Sequence, residues 1–261
     1  MARVGKFLKK MFAGLSSLRL DPEQTRIEAI ASREGEEIVL QPPIVFAEFP
    51  KINDWLARIE AEMKASLAHL LTRAHADLLA FFTSTEALNA PSLLAWIGQY
   101  PAQLVVVAVQ IAWTTLVEDS LARGGDLDLA LAIVLRSLDV LADAVLGDLP
   151  ALQRRKCEHL ITELVHERDV IRRLKEDKIV AADDFVWLYH MRFYLDPSQS
   201  DVLEQLEVRM ASATFSYGFE YLGVPDRLVQ TPLTDRCYLA LTQALSSRLG
   251  GSPFGPAGTG A

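Results

Sequence analysis

The sequence predicts a mainly α fold: an elongated helical body with a small β-hairpin element, followed by the beginning of an α/β module with a phosphate-binding loop. Three observations carry this. Residues 51–82 repeat apolar side chains at three- and four-residue steps, the stripe of a long amphipathic helix. Residues 104–121 and 127–146 are apolar on nearly all sides, as in helices buried among others. The chain then closes on Gly255-Pro256-Ala257-Gly258-Thr259-Gly260-Ala261, which has the glycine spacing of G-x-x-x-x-G-K-[ST], with Ala261 at the Lys position.

The elements follow in order. Between Gly14 and Val45 the runs LSSLRL, TRIEAIA and Glu36 to Leu40, with the turn former Asp21-Pro22, predict a small hairpin or meander closed by Pro42 and Pro43. The helix over 51–82 carries Trp55, Ile59, Met63, Leu67, Leu71 and Leu78 on one face and would run about 45–50 Å, suiting a rod. Gly124-Gly125 separates the two apolar helices, and so short a loop favours an antiparallel hairpin. Pro150 opens a charged helix to about Lys178 with a narrower stripe, Cys157, Leu160, Ile161, Leu164, Ile171 and Leu174. A short helix ends near Met191, and residues 203–222 read as strands. Thr234 is the expected N-cap of a helix over Arg236 to Leu249, which Gly250-Gly251 ends.

Half of the 261 residues are hydrophobic, enough for a sizeable core in one large domain or two smaller ones. A formal charge of −8 argues against a nucleic-acid surface. The apolar run Leu104 to Trp113, broken by Gln110, falls short of the roughly 18–20 residues a bilayer requires, so no membrane insertion is expected. Cys157 and Cys237 read as reduced thiols. His159, Glu163 and His166 share a helix face at i, i+4 and i+7, but lack a fourth ligand and read as a solvated polar face without metal. His190 with Tyr189 and Tyr194 reads as aromatic packing, the four tryptophans as core, and the basic residues at 154–156 and 172–175 as a solvated face. No catalytic constellation is defensible from spacing.

Longer stretches add a resemblance. FVWLYHMRFY (185–194), YGFEYLG (217–223) and RLVQTPLTDRCYLALTQAL (227–245), running into GGSPFGPAGTG, closely resemble cytoplasmic dynein heavy chains where the linker enters the first AAA+ module. KKMFAGLSS (9–17), SREGEEIV (32–39), FPKINDWLARIEAEM (49–63), YPAQLVVVAVQIAW (100–113) and HLITELVHERDV (159–170) extend the likeness over nearly the whole chain. The resemblance implies that residues 1–210 are the C-terminal part of the linker and 211–261 the start of the module, cut within its phosphate loop. It implies a fragment of an ATP-driven, minus-end-directed microtubule motor in the cytoplasm. Its partners would be the rest of the AAA+ ring, with other complex subunits and the microtubule reached through regions elsewhere. ATP with magnesium would be the cofactor of the full-length family, with none bound tightly by this fragment. Leu228, Val229, Pro232 and Leu233 would wall the adenine, and Gly255, Pro256, Ala257, Gly258, Thr259 and Gly260 would wrap the phosphates. Without the Lys and the downstream acidic residues the fragment is expected to be inactive alone. A stand-alone helical interaction module without motor activity is the alternative. The first residues read as an arbitrary start within a longer chain, and Ala261 as either a gene-model break or the genuine end of such a module.

Overall fold

The computed structural model describes residues 8, 10–48 and 51–255. An antiparallel meander comes first: β1 (Ser17–Leu20), β2 (Arg26–Ala31) and β3 (Glu37–Val45), in that order across the sheet. Its first turn is fixed by Asp21, whose carboxylate accepts from the Thr25 N–H and hydroxyl, both at 2.7 Å, and from the Arg26 N–H at 2.9 Å. Ile27, Ile38, Leu40 and Ile44 enter the core. Pro42 and Pro43 do not close the unit, as expected from sequence, but lie inside β3. That strand is an edge, and it bulges there: pairing jumps from Ile27↔Ile44 to Ala29↔Val39, so the missing N–H groups break no ladder bond.

Helix α1 (Ile52–Leu79) has 28 residues, about 42 Å at 1.5 Å per residue. It packs Ile59, Met63, Leu67, Leu71 and Leu78 beneath the meander and against the helices that follow. It stops short of the predicted residue 82, because Phe82 turns back into the core. Helix α2 (Ala90–Gln99) is absent from the sequence reading: it is short and carries Pro91 and Gly98. Its start is nonetheless capped by Asn89, which accepts the Ser92 N–H at 3.0 Å, with Pro91 tolerated in the first turn.

Helix α3 (Ala102–Ala122) is the centre of the body, buried on nearly every side. It touches α1, α4 (Asp128–Leu146), α5 (Ala151–Glu176) and strand β4 (Arg192–Leu195). The helix outruns the apolar stretch read from sequence and is long and apolar enough to cross a bilayer; the fold itself buries 72% of its most apolar window. All four tryptophans are buried, and Trp113 on α3 meets Trp187 edge-on at 5.2 Å. Trp187 belongs to α6 (Phe185–Leu188), one short turn before β4.

A second antiparallel sheet, β4 with β5 (Leu206–Met210) and β6 (Ala213–Ser216), covers the end of the body. The Phe193 N–H of β4 donates to Thr114 Oγ1 of α3 at 3.1 Å. Beyond β6 the expected strand pattern fails: residues 217–224 form no ladder and pass through Phe219 at φ 48°. After a last bond from the Tyr217 N–H to Leu206 O of β5, their partners are the side chains of Gln103 on α3 and of Glu34 and Glu36 ahead of β3. Helix α7 (Pro232–Ser246) then begins four residues earlier than predicted. Its N-cap is Thr231, not Thr234. The two form a reciprocal capping box, with Pro232 at the first helical position.

One close approach ties the chain's start to this late segment. A Cβ on Gly14 would lie 2.3 Å from Tyr221 O and 2.7 Å from Gly223 N, both backbone. Gly14→Ala is therefore expected to lower stability by about 1–3 kcal/mol, read by thermal denaturation. An unchanged melting temperature would show that the two segments are not in contact.

Candidate functional site

The site is the place where residues 217–233 cross the helical body and leave it as α7. The deepest tie is Glu36, at the head of β3 and 3% exposed. Its carboxylate accepts the Ala102 N–H at the start of α3 (2.8 Å) and the Tyr221 hydroxyl (2.8 Å), and faces Lys156 Nζ of α5 at 2.9 Å. Lys156 also donates to Tyr100 O at 2.6 Å. Burial, then the Glu36 carboxylate, push the Tyr221 hydroxyl far above its ordinary range, so it donates at any physiological pH. Lys156 is thus no part of the solvated face expected for 154–156. Arg154 is not free either: it donates to Gly147 O at 2.9 Å and to Val145 O at the end of α4.

Gln103 makes the second tie. Its amide donates to Tyr217 Oη at 2.7 Å and Glu220 O at 2.9 Å, and its carbonyl accepts the Leu222 N–H at 3.1 Å. Phe219, Tyr221 and Val224 are consequently buried.

The third tie overturns the reading of His159, Glu163 and His166 as a solvated face. Glu163 is 4% exposed, accepting from Gln110 Nε2 at 2.7 Å and from Arg227 at 2.5 Å. Both histidines are half-buried. The late segment folds over this face of α5, a cover that helical periodicity alone cannot reveal. One turn on, Glu167 is fully enclosed, with neither carboxylate oxygen bonded among the described residues. Burial, then Glu163, hold it well above the usual carboxylate range. His166 turns away from Glu163 toward His190 and Asp235. His190 does pack on aromatic neighbours, with Tyr189 at 5.4 Å, while Tyr194 instead donates to Glu118 at 2.6 Å. Burial, then His166 and Arg173, bring the His190 imidazole down to about 3.

Immediately after Arg227 the character of the surface changes. Leu228, Val229, Pro232 and Leu233 are all exposed, Leu233 at 65%. Helix α7 has no buried residue. Its inner side is held to the second sheet by Gln243, which donates to Met210 O at 2.8 Å and accepts from Ser212 Oγ at 2.7 Å. Leu241, Leu245 and Leu249 lie open, and Phe254 is 93% exposed. Gly255 is exposed; Pro256, Ala257, Gly258, Thr259 and Gly260 lie outside the described residues. The four apolar residues named from sequence thus fall on one open stretch directly after the third tie. The ties themselves carried no motif; a charged residue inside an apolar pattern, Glu36 beside Ile38 and Leu40, was the available signal.

The geometry defines a class: a helical body that grips the lead-in to a glycine-rich C-terminal segment. Family comparison makes this specific. Residues 1–74 match the model "Dynein heavy chain, N-terminal region 2", and residues 217–261 match "Hydrolytic ATP binding site of dynein motor region". Relatives named cytoplasmic dynein heavy chain are 50% identical in Drosophila melanogaster, over 100% of this chain. The figures are 49% over 99% in Dictyostelium discoideum and 48% over 100% in Caenorhabditis elegans. The chain belongs to the dynein heavy-chain family, and spans 6% of the length of each of these relatives.

Two outcomes test the site. Lys156→Met leaves Glu36 buried without its cation and is expected to cost about 3–5 kcal/mol. Adding Glu36→Gln should recover part of that in urea denaturation, whereas additive losses would deny the pairing. Cys157 is fully buried, and its thiol is raised to about 11 by burial and then Glu158, whereas Cys237 is exposed. A thiol reagent at pH 8 should therefore modify one cysteine quickly and the second only on unfolding.

Proposed function

We propose that this chain is the junction between the linker and the first AAA+ module of an ATP-driven, minus-end-directed microtubule motor. In this reading residues 1–210 are the C-terminal part of the linker and 211–261 begin the module. The lead-in is anchored to the linker through Tyr221 and Arg227. One observation carries the reading: the chain is clamped into the helical body up to Arg227, then turns uncovered apolar residues outward on the approach to a phosphate-type loop. A surface of that kind suits an adenine ring and the remaining sheet of the module. The match of residues 217–261 to the dynein hydrolytic site supports the same assignment.

The mechanism then rests on position. Leu228, Val229, Pro232 and Leu233 would wall the adenine, and Gly255 to Gly260, of which only Gly255 lies among the described residues, would offer backbone N–H groups to phosphates carried with magnesium. The residues of the wall follow Arg227 without a break, so displacement of the wall on nucleotide exchange pulls directly on Glu163 of α5. The linker receives it as a rigid helical body and passes it on.

The test is nucleotide binding by the chain extended with the family's continuation, beginning with Lys at position 261. A bulky residue at Gly258 or Gly260 should weaken ATP binding by at least about tenfold, because a side chain blocks the backbone's approach to phosphate. A charge at Leu233 should weaken adenosine itself by about ten- to a hundredfold. ATP affinity unchanged by all three would contradict the proposed nucleotide site.

A further inference from the structure

His166 of α5, His190 of the turn before β4, and Asp235 in the first turn of α7 converge from three separate elements. One ligand atom from each lies within 4.8 Å of the others. His166 Nε2 stands 3.9 Å from Asp235 Oδ1, and the two imidazole rings meet edge-on at 6.1 Å. A second observation marks the place as incomplete. His190 is 5% exposed, and its Nδ1 is buried with no hydrogen-bond partner among the described residues. A buried ring nitrogen left unbonded is costly, and the His190 ring stands in one cluster with another imidazole and a carboxylate.

We propose that His166, His190 and Asp235 form a binding site for a divalent transition metal, with zinc the best fit. Two imidazoles and one carboxylate are the donor set such ions take, with a fourth position left for water. Ligand atoms around tetrahedral zinc lie about 3.3 Å apart, so the widest pair must close by about 1.5 Å. The His166 and Asp235 side chains, 15% and 13% exposed, are less enclosed than His190, and the closure falls to them. Arg173 lines the adjoining cleft of about 230 Å³ beside His190. Its charge opposes the ion, though it is drawn toward Asp177 at 3.6 Å. The site is therefore of moderate affinity.

Its placement gives it a consequence. His166 belongs to the helical body and Asp235 to the helix that leads out of it, so a bound ion adds a covalent-strength tie across the same seam as Glu163 and Arg227. This inference does not depend on the nucleotide reading, because it uses neither the phosphate loop nor the apolar wall.

Zinc titration of the tag-free 261-residue chain against a chromophoric chelator is the test. One zinc per chain is expected, with a dissociation constant below about 20 μM. His190→Ala and Asp235→Asn should each weaken it by at least about tenfold, while His159→Ala leaves it unchanged. Weaker binding than this, or binding that survives either substitution, overturns the site. Should His190→Ala fail to fold, His190→Gln replaces it. Cobalt on the unaltered chain gives an independent reading: intense visible bands of four-coordinate nitrogen and oxygen ligation support the site, and the pale spectrum of the hydrated ion contradicts it.

Discussion

The burial of Glu36 is the constraint on which the rest of the fold depends. A carboxylate at 3% exposure is tolerable only if its lone pairs are met, and here the partners come from three distant parts of the chain. The Ala102 N–H fixes the start of the central helix, Lys156 fixes the register of α5, and Tyr221 brings in the segment that leads to α7. Moving any one of them strands a charge in the interior. The meander is thus not an ornament on the helices, because it supplies the acid around which they and the lead-in are arranged.

Around that point the body is built on α3. A helix apolar on every side needs neighbours on every side, and α1, α4, α5 and β4 provide them. Of the polar groups that enter this packing, two serve the lead-in: Gln103 and Gln110 lie on α3 and reach Tyr217, Glu220, Leu222 and Glu163. The change from buried Val224 to exposed Leu228 takes four residues, with Arg227 between them as the last anchor. The lead-in is thus held on one side, while the apolar residues that follow it stand open on the other.

Much of the fold was legible because it rests on periodicity. The stripes of α1 and α5, the all-round apolar character of α3, and the turn chemistry at Asp21 read directly into the structure. The misses share a cause, namely partners remote in sequence. Lys156 and Glu163 sit on what looks like a charged helix face, and only the late segment folding over it turns them into buried ions. Residues 217–224 alternate like a strand, but the side chains of Gln103, Glu34 and Glu36 take the bonds a neighbouring strand would have supplied. Thr234 was mistaken for the cap because it precedes Asp235, although Pro232 already marked the first helical position. For Leu228, Val229, Pro232 and Leu233 the sequence offers a role only through family likeness, and the structure adds that all four stand open together.

The central claim is that residues 217–224 fold as part of the helical body, while the apolar residues after Arg227 do not. Amide hydrogen exchange on the intact chain measures this directly, because protection reports the opening free energy of each segment. The account predicts that the amides of Leu222 and Val224 exchange as slowly as those of α3 and α5, with protection falling sharply from Leu228 to Gln230. Exchange at Leu222 and Val224 as fast as at Leu228 would contradict it, since the lead-in would then hang free of the linker.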